Sequence, residues 1–176
     1  LSTPRIRVST YRLQFNRRFK FCDAKKIICY FHDLGITDIY ASPYCKAREG
    51  SLHGYDIVDH NTLNPEIGTE EEYHEMVQEL GKYQMGQMLD IVPNHMCITS
   101  KENTWWMDVL EDGRISPYAR YFDIDWHPIK TVLSDRILLP ILGDRYGKVL
   151  EEAGFKLLFE AGGFFLSYAK TTLPIS

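Results

Sequence analysis

Apolar residues along the first half of the chain switch between strand-like clusters and helical stripes. Ile6 to Leu13 gathers β-branched and aromatic residues and reads as a strand. Asp23 then offers an N-cap, and Ile27, Ile28, Phe31 and Leu34 recur at helical spacing. Gly35 follows as the residue that ends this helix. Asp38 to Ala41 is a short strand stopped by Ser42-Pro43, and a long polar loop runs from Tyr44 to about Gly68. Thr69 with Glu72 forms a capping box, after which Tyr73, Met76, Val77 and Leu80 line one face of a second helix that Gly81 closes. Met88 to Val92 is a third strand, halted by Pro93.

The pattern changes after about Met96. Trp105, Trp106, Val109 and Leu110 suggest one short helix, and beyond Tyr118 brief apolar runs are broken by Gly and Pro. Phe155 to Phe159 and Phe164 to Tyr168 flank Glu160-Ala161-Gly162-Gly163, a hairpin signal. No further βα unit, internal repeat or low-complexity stretch is visible. The expected organisation is therefore a β-α-β-α-β segment over residues 1–96, then an irregular β-rich subdomain over residues 97–176, inserted after the third strand.

Alternation of this kind implies an α/β fold with parallel strands. A doubly wound sheet and a TIM (β/α)8 barrel both begin this way. The nucleotide-binding doubly wound version carries a Gly-rich phosphate loop after its first strand. Here that position reads Gln14-Phe15-Asn16-Arg17, without a glycine, which favours the N-terminal part of a barrel.

Composition narrows the class. Hydrophobic residues make up 44% and charged residues 25%, a globular profile. The net charge of −4 gives no basic surplus for general nucleic-acid binding. No apolar run reaches a membrane span of about 20 residues, and the opening Leu-Ser-Thr-Pro-Arg lacks a signal peptide's apolar stretch. Cys22, Cys29, Cys45 and Cys97 form no C-x-x-C pair or zinc spacing, so buried reduced thiols in a cytoplasmic protein are expected. Aromatics at 13% suit both core packing and the flat faces of sugars.

Two segments carry candidate chemistry. Asp90-Ile91-Val92-Pro93-Asn94-His95 places Asp90 inside the end of a buried strand, where it needs a partner such as an Arg on a neighbouring strand. Asn94 and His95 emerge on the loop beyond, at the strand end that bears the active site in a barrel. Alone, the segment reads equally well as an Asp capping a loop and a His bonded to backbone. Ser51-Leu52-His53-Gly54-Tyr55-Asp56 lies on the loop after the second strand. Gly54 lets Tyr55 project freely to stack on a sugar, and Asp56 can accept hydroxyl hydrogen bonds. Alone, it reads better as a turn with a surface tyrosine. His32 and His74 lie in helices, and His60 and His127 in loops without ligand spacing, so no metal is assigned. Glu70-Glu71-Glu72 suits a helix N-terminus, and Trp105-Trp106 suits subdomain packing better than a sugar platform.

Together, a G-Y-D loop after the second strand and D-x-x-x-N-H at the third resemble the α-amylase superfamily, glycoside hydrolase family 13. The likeness extends to Thr10-Tyr11-Arg12-Leu13-Gln14-Phe15, Ala41-Ser42-Pro43-Tyr44, Gly50-Ser51, and Leu63-Asn64-Pro65-Glu66-Ile67-Gly68. Trp105-Trp106-Met107-Asp108-Val109-Leu110, Leu139-Pro140-Ile141-Leu142-Gly143-Asp144 and Tyr146-Gly147 continue it over nearly the whole chain. These landmarks resemble the maltooligosyltrehalose synthase family. Gln87-Met88 departs from the more apolar residues usual before Asp90, and a weaker third strand is expected.

The resemblance implies that Tyr55 stacks on the sugar ring at the bond being broken and that His95 bonds a hydroxyl of that ring. It implies that Asp90 supports an arginine, that Asn94 fixes loop geometry, that Asp56 lies at the pocket floor, and that His53 supports the pocket. The implied reaction is an intramolecular transglycosylation of a maltooligosaccharide or α-1,4-glucan, without a cofactor. The terminal α-1,4 linkage becomes α,α-1,1, in trehalose biosynthesis. The superfamily's nucleophile sits in a G-x-R-x-D segment that this chain does not contain, so the catalytic carboxylates are expected beyond Ser176 and the chain alone is expected to be inactive. Two other readings stay open: an α-amylase-type glucan hydrolase, and a non-catalytic glucan-binding or structural module. Open barrel edges are expected to promote self-association.

Overall fold

A computed structural model describes residues 6–160 and 162–175. The chain divides into two compact units, one through Cys97 and one from Ile98.

The first unit is an α/β fold. Strands β1 (Thr10–Leu13), β2 (Asp38–Ala41) and, later, β5 (Gly86–Leu89) form a parallel sheet in the order β1-β2-β5. Helices α1 (Phe21–Asp33) and α2 (Glu70–Lys82) follow β1 and precede β5 and pack on each other. Between β2 and α2 lies an antiparallel pair, β3 (Cys45–Ala47) and β4 (Ile57–Leu63).

Strand alternation decides which residues make the core. Leu13, Ile39 and Ala41 are buried in one cluster with Phe21, Ala24, Ile28 and Phe31 of α1 and Met76 and Leu80 of α2. The intervening residues Arg12 and Tyr40 therefore point to the other side of the sheet. Each large side chain removed from water here contributes about 1.5–3 kcal/mol.

Several boundaries differ from those expected. The first strand begins at Thr10 rather than Ile6, and the third ends at Leu89 rather than Val92. Helix α1 starts one turn early. Asp23 is not its N-cap but lies three residues past the Lys20 cap, where its carboxylate accepts the Lys20 N–H at 3.1 Å. Leu34 is exposed because it lies at the C-cap, and Phe21 and Ala24 complete the buried face instead. Gly35 takes the left-handed conformation (φ 84°) that ends the helix. The Thr69–Glu72 capping box is present in both directions, at 3.2 and 2.9 Å. Gly81 sits inside the last turn of α2, and the left-handed turn falls on Gln84 (φ 54°).

The long polar loop is not without structure. Its β3–β4 pairing carries register shifts, and neighbouring Ile57 and Val58 are both buried, so it shows no period of two to read. His60 thus belongs to β4. The thiols are also less buried than expected: Cys97 is buried, Cys22 and Cys45 are half-buried, and Cys29 is exposed on the outer side of α1. Gln87 does not leave β5 with an unsatisfied polar group. Its amide donates to the Tyr73 hydroxyl at 3.1 Å and accepts from Tyr44 at 3.4 Å. Burial and the neighbouring Tyr73 push the Tyr44 phenol up.

In the second unit, α3 (Thr104–Asp112) is capped by Asn103, whose side chain accepts the Trp106 N–H at 3.1 Å. Trp106, Val109 and Ala119 form a small buried cluster with Phe122, Ile137 and Leu139 around it. Trp105 stacks on Tyr118 with centroids 5.1 Å apart. Short 3-10 turns and α4 (Tyr146–Glu151) lead to an antiparallel sheet of β6 (Phe155–Glu160), β7 (Gly163–Tyr168) and β8 (Thr171–Ile175). The β6–β7 hairpin falls where the turn residues placed it, while β8 adds a strand not expected. Cross-strand register sets Leu157 against Leu166 and Leu173, and Phe159 against Phe164 and Ile175, on one sheet face. Leu157 and Phe159 are each 65% exposed on that face.

Candidate functional site

The side of the parallel sheet away from the helices gathers the candidate residues at the C-terminal ends of the strands. Arg12 of β1 and Asp90, one residue past β5, meet beside Tyr40 of β2. Asp90 keeps the edge of the ladder, its N–H donating to the Ala41 carbonyl at 2.9 Å. The Asp90 side chain is 18% exposed, at the rim of the sheet rather than inside a buried strand. Leaving the strand at Leu89 lets the carboxylate turn toward Arg12.

Arg12 Nη1 donates to Asp90 Oδ2 at 3.1 Å, and Arg12 Nη2 donates to the Tyr55 hydroxyl at 2.8 Å. The Tyr55 hydroxyl in turn donates to Asp90 Oδ2. The three groups close a ring of hydrogen bonds, and the guanidinium carbon lies 4.5 Å from the Tyr40 ring centroid. The Tyr55 hydroxyl, then Arg12 and Tyr40, hold the Asp90 carboxyl below its ordinary value by bonding its charged form. Tyr55 is therefore not free, as Gly54 alone suggested. Its hydroxyl is committed, and a ligand could engage it mainly through the ring.

The loop carrying Tyr55 is built around Gly54, which has φ 79° and whose N–H donates to Ser51 Oγ at 3.1 Å. Such a φ favours glycine. His53 Nδ1 accepts the Tyr55 N–H at 3.1 Å, and the two rings lie 22° from parallel. His95 Nε2 contacts the Tyr55 carbonyl at 3.1 Å and His95 Nδ1 contacts the Asn94 side chain at 3.1 Å. One more tie holds this region: His60 Nε2 donates to the Val92 carbonyl at 2.9 Å.

The structure thus brings Tyr55, Asp90, His95, Asn94 and His53 together. Asp56 lies beside His53, its carboxylate 3.8 Å from His53 Nδ1, and it accepts from Ser51 Oγ and pairs with Arg48 Nε at 3.3 Å. Arg12, Tyr40 and Arg48 were not among the residues singled out for the site. Arg12 was legible, because a charged residue between Tyr11 and Leu13 must point away from the apolar face. Arg48 gave no such signal, lying in an irregular segment. His32 and His74 are exposed beside Asp33 and Glu70. Among the described residues no group of three or more His, Cys, Asp or Glu is placed to hold a metal ion. No helix among them is long and apolar enough to cross a membrane.

A parallel βαβαβ unit with a G-Y-D loop and D-x-x-x-N-H meeting at the strand ends has the features of an α-amylase catalytic domain. The sequence profile of that domain, "Alpha amylase, catalytic domain", matches residues 25–152, and the chain belongs to this family.

Its relatives are more specific. A Mycobacterium tuberculosis (strain H37Rv) protein assigned as a maltooligosyl trehalose synthase is 43% identical over 143 residues, which cover 77% of this chain and 18% of the relative. A crystal structure of maltooligosyl trehalose synthase superposes with TM-score 0.87 at 40% identity, over 96% of this chain and 22% of that one. The maltooligosyltrehalose synthase from Arthrobacter ramosus gives TM-score 0.82 at 38% identity, over 94% of this chain and 21% of that one. The chain spans about a fifth of the length of these relatives.

Proposed function

We propose that this chain is the N-terminal portion of a maltooligosyltrehalose synthase. Residues 1–96 supply the first three strands of its (β/α)8 barrel, and residues 97–176 supply an inserted subdomain. The observation that carries the reading is the Arg12–Tyr55–Asp90 ring beside His95 at the strand ends. It pins a tyrosine by its hydroxyl, which suits stacking against the apolar face of a glucose unit. His95 bonds a hydroxyl of the same unit by giving up one of its two contacts, to the Tyr55 carbonyl or the Asn94 side chain. Asp90 and Asn94 hold this arrangement, His53 braces the loop, and Asp56 borders the pocket.

In the whole enzyme, the glycosidic oxygen of the terminal α-1,4 bond takes a proton as the bond breaks. The glycosyl unit passes to a carboxylate, and the anomeric hydroxyl of the freed glucose then displaces that carboxylate while its proton returns to the group that protonated the leaving oxygen. The product ends in an α,α-1,1 linkage, and no organic cofactor is consumed. The reaction needs two carboxyl groups about 5–5.5 Å apart. Asp90 and Asp56 are committed to Arg12 and Arg48, and the sequence has no G-x-R-x-D segment. The residues here therefore bind and orient, and the carboxylate pair lies outside them. A cytoplasmic location fits the four cysteines without C-x-x-C spacing. Self-association of the chain alone is part of the proposal, supported by the exposed Leu157, Phe159, Phe164 and Ile175.

The test is incubation of the chain with maltopentaose, followed by product analysis and calorimetric titration. The expected result is weak, saturable binding without trehalosyl product or released glucose, with binding abolished by Tyr55→Ala and reduced by His95→Ala. Turnover by the chain alone, or unchanged binding in both variants, contradicts the reading.

A further inference from the structure

The segment around β1 contains more than one contact to the tyrosine loop. Leu13 and Phe15 are buried on the helix side, and the residues alternating with them face the other way. All three of those alternating residues reach the segment from Leu52 to Tyr55. Arg12 Nη2 donates to the Tyr55 hydroxyl at 2.8 Å, Gln14 Nε2 to the His53 carbonyl at 2.9 Å, and Asn16 Nδ2 to the Leu52 carbonyl at 3.0 Å. Gln14 Nε2 also lies 3.2 Å from the Phe15 carbonyl, and Asn16 Oδ1 accepts the Arg18 N–H at 2.9 Å, so both amides are themselves oriented.

Within the loop they hold, the Gly54 N–H donates to Ser51 Oγ and the Tyr55 N–H to His53 Nδ1. The Leu52 and His53 carbonyls, just before the left-handed Gly54 (φ 79°), are the acceptors that Asn16 and Gln14 reach. A strand end whose every second residue is a long or amide-bearing donor meets successive acceptors of that turn. The donors follow one another along the chain from Arg12 to Asn16 as their acceptors run back from Tyr55 through His53 to Leu52.

The geometry points to Arg12, Gln14 and Asn16 as a comb of positioning residues that fixes the loop bearing His53 and Tyr55, and so sets how the Tyr55 ring is presented to a glucan. This rests on the reading that Tyr55 meets the ligand, but the comb itself can be tested without ligand. The role assigned to all three is positioning, through their bonds to the loop. Arg12 orients the ring by its hydroxyl, while Gln14 and Asn16 hold the backbone two and three residues before it. Lysine is a poor substitute for Arg12, because its rotating point-charge ammonium lacks the rigid planar fork that donates to hydroxyl and carboxylate from two separate nitrogens.

The experiment uses Gln14→Glu and Asn16→Asp, singly and together, and Arg12→Lys. The acidic variants keep size and shape, remove the amide donors, and leave the Asn16 acceptor for Arg18. Hydrogen exchange of the 52–55 amides and NMR of ring-labelled tyrosine, with the Tyr55 signal identified by its loss in Tyr55→Phe, are read beside maltopentaose affinity. The comb predicts exchange at 52–55 faster by about tenfold in the double variant, with α1 and α2 unchanged, since local opening needs no global unfolding. It also predicts a displaced or broadened Tyr55 signal in Arg12→Lys. Unchanged exchange at 52–55 together with an unchanged Tyr55 signal overturns it. If the double variant fails to fold, the single variants and Arg12→Lys give the same readouts. If the unsubstituted chain binds no maltopentaose, the glucan reading fails while exchange and the Tyr55 signal still decide the comb. If it binds, and the variants loosen the loop yet bind equally well, the positioning role is overturned.

Discussion

The two units of the chain bury their apolar residues to very different degrees. In the unit through Cys97, α1, α2 and the parallel sheet share one cluster in which Phe15, Phe21, Ile28, Ile39 and Met76 are all at or below 1% exposure. In the unit from Ile98, the buried cluster consists of Trp106, Val109 and Ala119, while Leu157, Phe159, Phe164 and Ile175 remain exposed on one sheet face. The difference teaches that regular elements with matched periods close a core over a short stretch of chain. The antiparallel sheet of the second unit is as regular in its pairing, yet the face bearing Leu157, Phe159, Phe164 and Ile175 is left exposed. The difference also explains why the functional residues gather in the first unit: a site needs rigid strand ends to hold it.

The sharpest way to break this comparison is Phe21→Ala. Phe21 is fully buried and touches the rings of Phe15, Tyr44 and Tyr73. Its truncation is expected to cost about 3–5 kcal/mol in urea denaturation of the first unit. A cost near zero would mean that the cluster is not a packed core.

A smaller effect sharpens the account of the site. Asp90 has its folded-state pKa depressed by Tyr55, Arg12 and Tyr40. Its contribution to stability is therefore present above the ordinary Asp value of about 4 and is lost as pH falls through the lower folded value. Arg12 is 35% exposed, so screening keeps this contribution to at most about 1 kcal/mol. Asp90→Asn is expected to flatten the acid limb of the stability–pH curve by that amount. An identical acid limb in the variant would show that the ring of hydrogen bonds does not form.

The smallest effect on stability is expected in the second unit. Phe159→Glu replaces a side chain on the exposed sheet face and is expected to change unfolding stability by no more than about 0.5 kcal/mol. The same substitution is expected to lower self-association, read by light scattering across concentration. A large stability loss would show that this face is already covered.

Much of the first unit was legible because its signals are local. Thr69 and Glu72 announce α2 by a reciprocal pair of hydrogen bonds, and Gly35 ends α1 by the φ it alone takes easily. Asp38–Ala41 appears where its residues placed it. What escaped is non-local or irregular. The β3–β4 pair depends on register shifts between residues far apart in sequence, and β8 depends on a partner, β7, that buries only part of it. At the site, Tyr55, Asp90 and His95 were visible as motif residues, yet their partner Arg12 lies 78 positions from Asp90. Only the parallel pairing of β1, β2 and β5 brings it there. Asp56, adjacent to Tyr55 in sequence, turns to Arg48 at a bend before β4, where its carbonyl accepts the Arg48 N–H at 2.9 Å and its carboxylate pairs with the guanidinium.

The central claim is that this chain presents the ring of Tyr55 to an α-glucan, with the hydroxyl pinned by Arg12 and Asp90. The most direct measurement is a maltopentaose titration followed by NMR of ring-labelled tyrosine, with the Tyr55 signal identified by its loss in Tyr55→Phe. The account predicts that the Tyr55 signal moves progressively and saturably, and that Tyr146 and Tyr168 of the second unit stay in place. A titration in which Tyr55 does not move, while other tyrosines do, would contradict it.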